Sequence, residues 1–103
     1  MLAAFSVAPS GTGRADGSVS DAVAAAVEVV RASGVAHRTD AMFTTLEGEW
    51  DEVFAVIRAA TEAVAPFGSR ISLIIKADIR PGYENELDNK MARLERAIEE
   101  RQQ

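Results

Sequence analysis

Residues 70–79 read RISLIIKADI and form the strongest strand signal in the chain. Ile71, Leu73 and Ile75 occupy one set of alternate positions, and the other set mixes polar with apolar residues. Because successive side chains of a strand point to opposite faces of its sheet, this alternation predicts a strand with one covered face and one open face. The row of Ile71, Leu73 and Ile75 is the more hydrophobic, so we expect it to pack against helices.

The rest of the chain supplies three more strands and three helices. A strand is predicted from Leu2 to Ala8, and Ser18 or Ser20 can cap the helix that follows, which stops at Gly34. The remaining elements are two short strands, a second helix and a last helix, predicted at Ala36–Thr39, Met42–Glu47, Glu49–Ala65 and Glu86–Arg101.

The predicted order is β-α-β-β-α-β-α, and its first six elements are those of the split βαβ, or ferredoxin-like, sandwich. Right-handed crossovers place the first two helices on the same face of the sheet. We therefore predict an α+β fold in a single domain over residues 1–103: a four-stranded antiparallel sheet with an extra C-terminal helix. One face of this sheet is left without cover of its own.

Composition excludes several classes of site and partner. The 103 residues include no Cys and one His, which excludes disulfides, thiolate zinc sites and a multi-histidine metal centre within the chain. Eleven basic against sixteen acidic residues give a net charge of −5 without a basic cluster, so we expect no nucleic-acid partner. No apolar stretch is long enough to span a membrane, and we expect a cytoplasmic protein.

The alternation also predicts which side chains lie on the open face. Met42, Thr44 and Leu46 are expected in the core. The residues expected on the open face are Ser6, Phe43, Thr45, Glu47, Ser72, Ile74, Lys76 and Asp78. Such a mixed surface suits contact with another copy of the chain, and it equally suits a small cationic heteroaromatic ligand. The residues alone leave both interpretations open, and they favour binding over acid–base catalysis by Glu47 and Asp78.

Four segments resemble one known family. Residues 42–53, MFTTLEGEWDEV, resemble the M-G-T-x-x-E-G-x-W-[DE]-E-V signature of the thiamine-binding family once catalogued as uncharacterised family 0045. The segments FSVAP at 5–9, IKADIR at 75–80 and NKMARLE at 89–95 are similar to its other motifs. The resemblance covers essentially the whole chain, with the segments in the same order.

The resemblance implies a ferredoxin-like domain that assembles as a dimer of dimers, a homotetramer. It also implies non-catalytic binding of thiamine or its hydroxymethylpyrimidine moiety, with no cofactor, no metal and no catalytic residue. The ligand contacts it implies are Ser6, Thr44, Thr45, Glu47, Lys76 and Asp78, to which Phe43 is added. Glu47 is the first choice for the aminopyrimidine edge, because charge-assisted hydrogen bonds are strong.

Phe43 stands where the family usually has Gly. Its ring either fills part of the pocket or supplies a stacking wall, with Ile74 as a second apolar wall. The alternative to ligand binding is an oligomeric scaffold or regulatory module that binds another small molecule or a protein.

Overall fold

A computed structural model describes residues 1–11 and 19–103 of the chain. Four strands and three α-helices are present in this part, and a short 3-10 turn, Ala65–Phe67, follows the second helix. The elements are β1 Leu2–Ser10, α1 Ser20–Ala32, β2 Ala36–Thr39, β3 Thr44–Glu47, α2 Trp50–Val64, β4 Arg70–Asp78 and α3 Glu86–Arg101. A cap at Ser18 lies outside the described residues; Ser20 is itself the first residue of α1.

The four strands form one antiparallel sheet in the order β2-β3-β1-β4. Helices α1 and α2 pack on one face of it and on each other. The buried core lies between them and the sheet and is made of Ala3, Phe5, Val7, Ala22, Ala26, Val30, Val35, Leu46, Val53, Val56, Ile57, Ala60 and Val64. The predicted α+β class, with its C-terminal helix, is confirmed.

Strand β1 is two residues longer than predicted. It pairs with β4 along its whole length, from Leu2 opposite Asp78 to Ser10 opposite Arg70. At the far end the pairing continues into the chain before β4, where the N–H of Ser69 donates to the carbonyl of Ser10 at 3.1 Å. The pairing, rather than the local alternation, therefore sets where β1 ends.

The hairpin between β2 and β3 corrects one prediction. Met42 was expected in the core but is 72% exposed, and β3 begins only at Thr44. The reason is Asp40, whose Oδ1 accepts the N–H groups of Met42 at 2.8 Å and Phe43 at 3.0 Å. This local hydrogen bonding is typical of Asp in turns, and it removes both residues from the strand.

The helices cover less of β4 than predicted. Leu73 and Ile75 do lie on the helix side, opposite Val7 and Phe5 of β1. They nevertheless remain 40% and 37% exposed, and only Ile71 packs against the buried core. The two helices cover β1 and β3 but leave this edge strand largely uncovered.

Helix α3 has the bounds that the sequence predicts. Its first turn contacts the sheet, whereas Met91 and Leu94, on the apolar stripe further along, are exposed. None of the described helices is long and apolar enough to cross a membrane.

Candidate ligand site

The open face of the sheet carries most of the polar residues that the sequence predicted there. Residues directly opposite each other in an antiparallel pair share a face. Leu2 has Glu47 on one side and Asp78 on the other, and Ala4 lies in the same way between Thr45 and Lys76. Further along, Ser6 lies opposite Ile74. Side chains from three strands therefore converge on the face away from α1 and α2, as the alternation predicted.

Glu47 has a partner that the sequence did not indicate. Its Oε2 accepts the N–H of Glu86 at 2.7 Å, and its Oε1 accepts the N–H of Leu87 at 3.1 Å. These are the first two residues of α3, whose N-cap, Asn85, makes no side-chain capping bond. A carboxylate at a helix N-terminus satisfies free N–H groups and interacts favourably with the helix dipole. Glu47 thus acts as the cap of α3.

Two more pairs hold α3 over the same end of the open face. Lys90 donates to Asp78 at 2.5 Å, and this hydrogen bond, with the charge of Lys90, lowers the pKa of Asp78 below its ordinary value. On the other side Arg38 donates to the carbonyl of Leu87 at 2.8 Å and pairs with Asp88. The carboxylates expected to bind a ligand are therefore already bound to α3.

Glu86, the first residue of α3, is buried and carries its own partner. Arg93 donates to its two carboxylate oxygens at 3.2 and 2.5 Å. The hydrogen bond from Arg93 lowers the pKa of Glu86, against the opposing effect of burial. This pair stays ionised at neutral pH and fixes the start of α3.

Thr44 and Phe43 do not lie on the open face. Thr44 is buried on the helix side, and its Oγ1 lies 2.9 Å from that of Thr39. Phe43 precedes β3 in the hairpin turn and is half-buried. The seven predicted ligand residues are thus split between two regions rather than forming one site.

The second region is a cleft, named here the hairpin cleft, between β1, the first half of α1 and the β2–β3 turn. Its volume is ≈ 270 Å³. The residues that line it are Phe5, Ser6, Val7, Ala8, Val19, Val23, Ala26, Val27, Thr39, Asp40, Ala41, Met42, Phe43 and Thr44. Phe43 and Thr44 line it together with Ser6, which it shares with the open face, whereas Thr45, Glu47, Lys76 and Asp78 lie outside it.

The hairpin cleft offers apolar walls together with unused hydrogen-bonding groups. Strand β3 pairs with β1 only as far as Phe5, so no described strand pairs with Ser6, Val7 and Ala8 on that edge. At the rim, Asp40 uses Oδ1 for the turn, and its Oδ2 accepts nothing from the residues that the structure describes. The backbone bonds from the turn lower the pKa of Asp40, so this carboxylate is anionic at neutral pH.

Asp40 and the open edge of β1 are the cleft features that sequence reasoning missed. The signal for Asp40 was present, because Asp directly after a strand commonly turns the chain with its own carboxylate. The open edge of β1 had no such signal, since it depends on where β3 starts. In residues 1–11 and 19–103, no group of three or more His, Asp or Glu side chains could hold a metal ion.

Comparison with known proteins places the chain in a family. Residues 3–95 match the family model described as thiamine-binding protein. The UPF0045 protein Mb1933 of Mycobacterium bovis is 47% identical over 99 residues, which cover 95% of this chain and 94% of that protein. The UPF0045 protein sll0230 of Synechocystis is 36% identical over 83 residues, or 80% of this chain and 69% of that protein.

Solved structures show the same fold. The hypothetical protein MJ1052 of Methanocaldococcus jannaschii superposes with a TM-score of 0.80 at 32% identity, over 90% of this chain and 93% of that one. A Thermotoga maritima protein named for thiamine biosynthesis or salvage gives a TM-score of 0.71 at 21% identity, over 88% and 96% of the two chains. The match from Ala3 to Glu95 and the identities of the relatives lead to one conclusion: the chain belongs to the thiamine-binding protein family.

Proposed function

We propose that this protein binds thiamine or its hydroxymethylpyrimidine moiety reversibly, without catalysis, and that it does so as a homo-oligomer. The observation that carries this proposal is the hairpin cleft, which Ser6, Phe43 and Thr44 line beside the carboxylate of Asp40 and an edge of β1 that no described strand pairs with. Membership of the thiamine-binding family supports the choice of ligand.

The chemistry of the cleft suits an aminopyrimidine ring. Phe43 and the valines of α1 supply apolar walls for the faces of the ring. At Ser6–Ala8, every second residue of β1 points its N–H and C=O toward the edge that no described strand pairs with, and these groups can donate to and accept from a ring edge. The carboxylate of Asp40 can accept from an amino group. Drug-sized ligands occupy roughly 300–1,000 Å³, so a cleft of ≈ 270 Å³ favours the pyrimidine moiety as the part held.

Acid–base catalysis by the open face has little support. Glu47 and Asp78 lie on opposite sides of β1, so their backbones are roughly 10 Å apart at ordinary strand spacing. Each carboxylate is bound to a group of α3. A binding role therefore fits this surface better than an enzymatic one.

Calorimetric titration with thiamine and with hydroxymethylpyrimidine tests the proposal. We expect saturable heat for at least one ligand, and a loss of at least tenfold in affinity for Asp40→Asn and for Phe43→Ala. Asp51→Asn is the matched control, because Asp51 is an exposed carboxylate in the first turn of α2. Absence of heat at millimolar ligand with the parent protein contradicts thiamine binding.

Glu47→Gln in the same titration separates the two regions. If Glu47→Gln abolishes binding while Asp40→Asn and Phe43→Ala retain it, the ring is held on the open face and the assignment to the hairpin cleft is wrong. If Asp40→Asn and Phe43→Ala abolish binding while Glu47→Gln retains it, the result supports the hairpin cleft as the binding site.

A second candidate function is an oligomeric scaffold or regulatory module that binds another small molecule or a protein. The exposed apolar residues of β4 and α3 favour it, because uncovered apolar surface marks interaction sites. A thermal-shift panel discriminates the two functions: a true ligand raises the melting temperature as its concentration increases. A rise with an unrelated compound, and none with thiamine or hydroxymethylpyrimidine, favours the second function.

A further inference from the structure

The described residues that line the hairpin cleft include one charged side chain. It is Asp40, and none of the other lining residues is a Lys, Arg, His, Asp or Glu. The hydroxyls of Ser6, Thr39 and Thr44 are the remaining polar side chains, and the rest of the lining is apolar. Within the part of the chain that the structure describes, the cleft is therefore an apolar space with a single negative charge at its rim.

The carboxylate of Asp40 is held in position by the β2–β3 turn. Its Oδ1 accepts the N–H groups of Met42 and Phe43, and the N–H of Asp40 itself donates to the carbonyl of Phe43 at 2.9 Å. These hydrogen bonds fix both the backbone and the side chain of Asp40, while Oδ2 accepts nothing from the described residues. The backbone bonds also lower the pKa of Asp40, so its negative charge is present at neutral pH.

The basic side chains on the neighbouring elements belong to other surfaces. Arg38 of β2 faces the open side of the sheet, as its cross-strand partner Thr45 does. There it donates to the carbonyl of Leu87 and pairs with Asp88. Arg31 lies in the last turn of α1, whereas the cleft is beside the first half of this helix. Neither side chain lines the cleft, so neither is positioned to neutralise an anion bound in it.

Helix α1 begins beside the cleft, because its N-cap residue, Val19, is part of the lining. The N-terminus of a helix favours negative charge. Asp21, in the first turn of α1, already provides a negative charge at this end of the helix. An anionic ligand therefore gains less from α1 than it would from a helix whose first turn carried no carboxylate.

We propose that the hairpin cleft selects the unphosphorylated form of its ligand, a neutral or cationic aminopyrimidine, and that Asp40 is the residue that excludes the phosphate monoester. The inference rests on the proposed function, because it names the class of ligand that the same cleft accepts. A phosphate monoester carries a charge of about −1.5 to −2 at pH 7. In the cleft it would give up hydration without gaining a cationic partner, and an uncompensated charge of this kind is one means by which proteins reject a ligand.

The chemistry of the ligand brings its phosphate close to Asp40. In hydroxymethylpyrimidine the amino group and the hydroxymethyl group are on adjacent ring carbons. When the amino group donates to Oδ2 of Asp40, a phosphate on the hydroxymethyl oxygen lies beside the same carboxylate, and the two anions repel each other. Thiamine carries its phosphorylatable hydroxyl on the far side of its thiazolium ring, so we expect weaker discrimination against its monophosphate.

Calorimetric titration with hydroxymethylpyrimidine and with its phosphate monoester tests the inference. We expect the parent protein to bind the phosphate monoester at least twentyfold more weakly. The acetate ester adds bulk at the same oxygen without adding charge, and we expect it to bind at least fivefold more tightly than the phosphate monoester. This third ligand separates the effect of charge from the effect of size.

Two substitutions at the rim change its charge. Asp40→Asn keeps a side-chain oxygen that accepts the N–H groups of Met42 and Phe43, but it carries no charge. We expect it to lower the ratio of the dissociation constants for the monoester and for hydroxymethylpyrimidine at least fivefold. Ala41→Lys adds a cation next to Asp40 at an exposed position in the lining, and it is expected to lower the same ratio even if Asp40→Asn fails to fold.

Ala55→Lys is the matched control for Ala41→Lys. Ala55 is exposed on α2 and does not line the cleft, so the ratio should stay within twofold of the parent's. Salt provides an independent check, because it screens exposed charges such as that of Asp40. Raising the salt concentration should lower the ratio in the parent protein and change it less in Asp40→Asn.

Three results overturn the inference. The parent protein binds the monoester as tightly as hydroxymethylpyrimidine, the acetate ester is rejected as strongly as the phosphate, or folded Asp40→Asn and Ala41→Lys both keep the parent's ratio. In each of these cases hydroxymethylpyrimidine still binds, so the proposed function stands. Absence of heat with both hydroxymethylpyrimidine and thiamine contradicts the proposed function itself.

Discussion

β1 and β4 are both nine-residue strands and pair with each other along their full lengths, yet their surroundings are opposite. Every second residue of β1 is buried as far as Pro9, including Ala3, Phe5 and Val7. No residue of β4 is fully buried, although β4 carries the longer run of Ile and Leu. The longer aliphatic run therefore lies on the less covered strand.

Once the strands have formed, the position of the helices decides which strand is buried. α1 and α2 pack on β1, and the core between them and the sheet buries Ala3, Phe5 and Val7 of β1 and Leu46 of β3. Of β4, only Ile71 packs against this core. The middle of the sheet is packed within one chain, whereas eight of the nine residues of β4 are exposed.

The largest expected loss of stability comes from truncating the buried side chain of Leu46. The loss on truncating Ile75 of β4 is compared with it. Leu46 is fully buried, so Leu46→Ala is expected to lower the free energy of unfolding by about 3 kcal/mol, through lost burial and a cavity. Ile75→Ala in dilute protein is expected to cost less than half of that, because Ile75 already contacts solvent.

Urea unfolding of the parent protein and of each variant measures both losses in the free energy of unfolding. The free energy of unfolding is expected to fall less in Ile75→Ala than in Leu46→Ala, because the side chain of Ile75 is already 37% exposed and that of Leu46 is fully buried. If Leu46→Ala and Ile75→Ala lower the free energy of unfolding equally, β4 is packed as well as the middle of the sheet, and the contrast in burial is wrong.

The fold was largely accessible from the sequence, because alternation and helical spacing are local signals. In α2, for example, Val53, Ile57, Ala60 and Val64 recur in the sequence at helical spacing, and all four are buried. The same signals could not show which strand the helices cover, since that depends on the packing of whole elements. They also missed the turn at Asp40, where side-chain hydrogen bonds to Met42 and Phe43 compete with the strand.

The candidate site was accessible only in part. Alternation placed Ser6, Thr45 and Lys76 correctly on the open face, because strand register preserves faces. It could not show that Glu47 caps a helix 39 residues further along the chain. That contact arises only when α3 returns to the sheet, and nothing in the local sequence of β3 encodes it.

A smaller effect is expected at the junction between the sheet and α3. Glu47→Gln weakens the cap of α3, because the neutral amide has one acceptor oxygen and loses the interaction of a negative charge with the helix N-terminus. Loss of a cap costs about 1 kcal/mol, so we expect hydrogen exchange at the amides of Glu86 and Leu87 to accelerate about fivefold. Exchange in β1 should not change.

Glu49→Gln is the matched control for this effect. Glu49 occupies the N-cap position of α2 but makes no side-chain capping bond, so its substitution should leave exchange in α2 at the parent rate. If Glu47→Gln leaves the amides of α3 equally protected, the carboxylate does not hold the helix.

The smallest effect is a pH dependence confined to α3. Asp78 and Glu86 have pKa values lowered from 3.8 and 4.5 by their partners Lys90 and Arg93. A carboxylate whose pKa is lower in the folded state contributes stability that is present above its unfolded pKa and is lost as the pH falls through the folded one. The α3 contacts should therefore weaken below about pH 4. NMR titration of the two carboxyl carbons should give midpoints below the ordinary values. Lys90→Ala should return the midpoint of Asp78 toward 3.8 and raise that of Glu86 less, because Lys90 is the main cause of the Asp78 shift and the last cause of the Glu86 shift. An unchanged Asp78 midpoint in Lys90→Ala would mean that α3 is not attached to β4 through this pair.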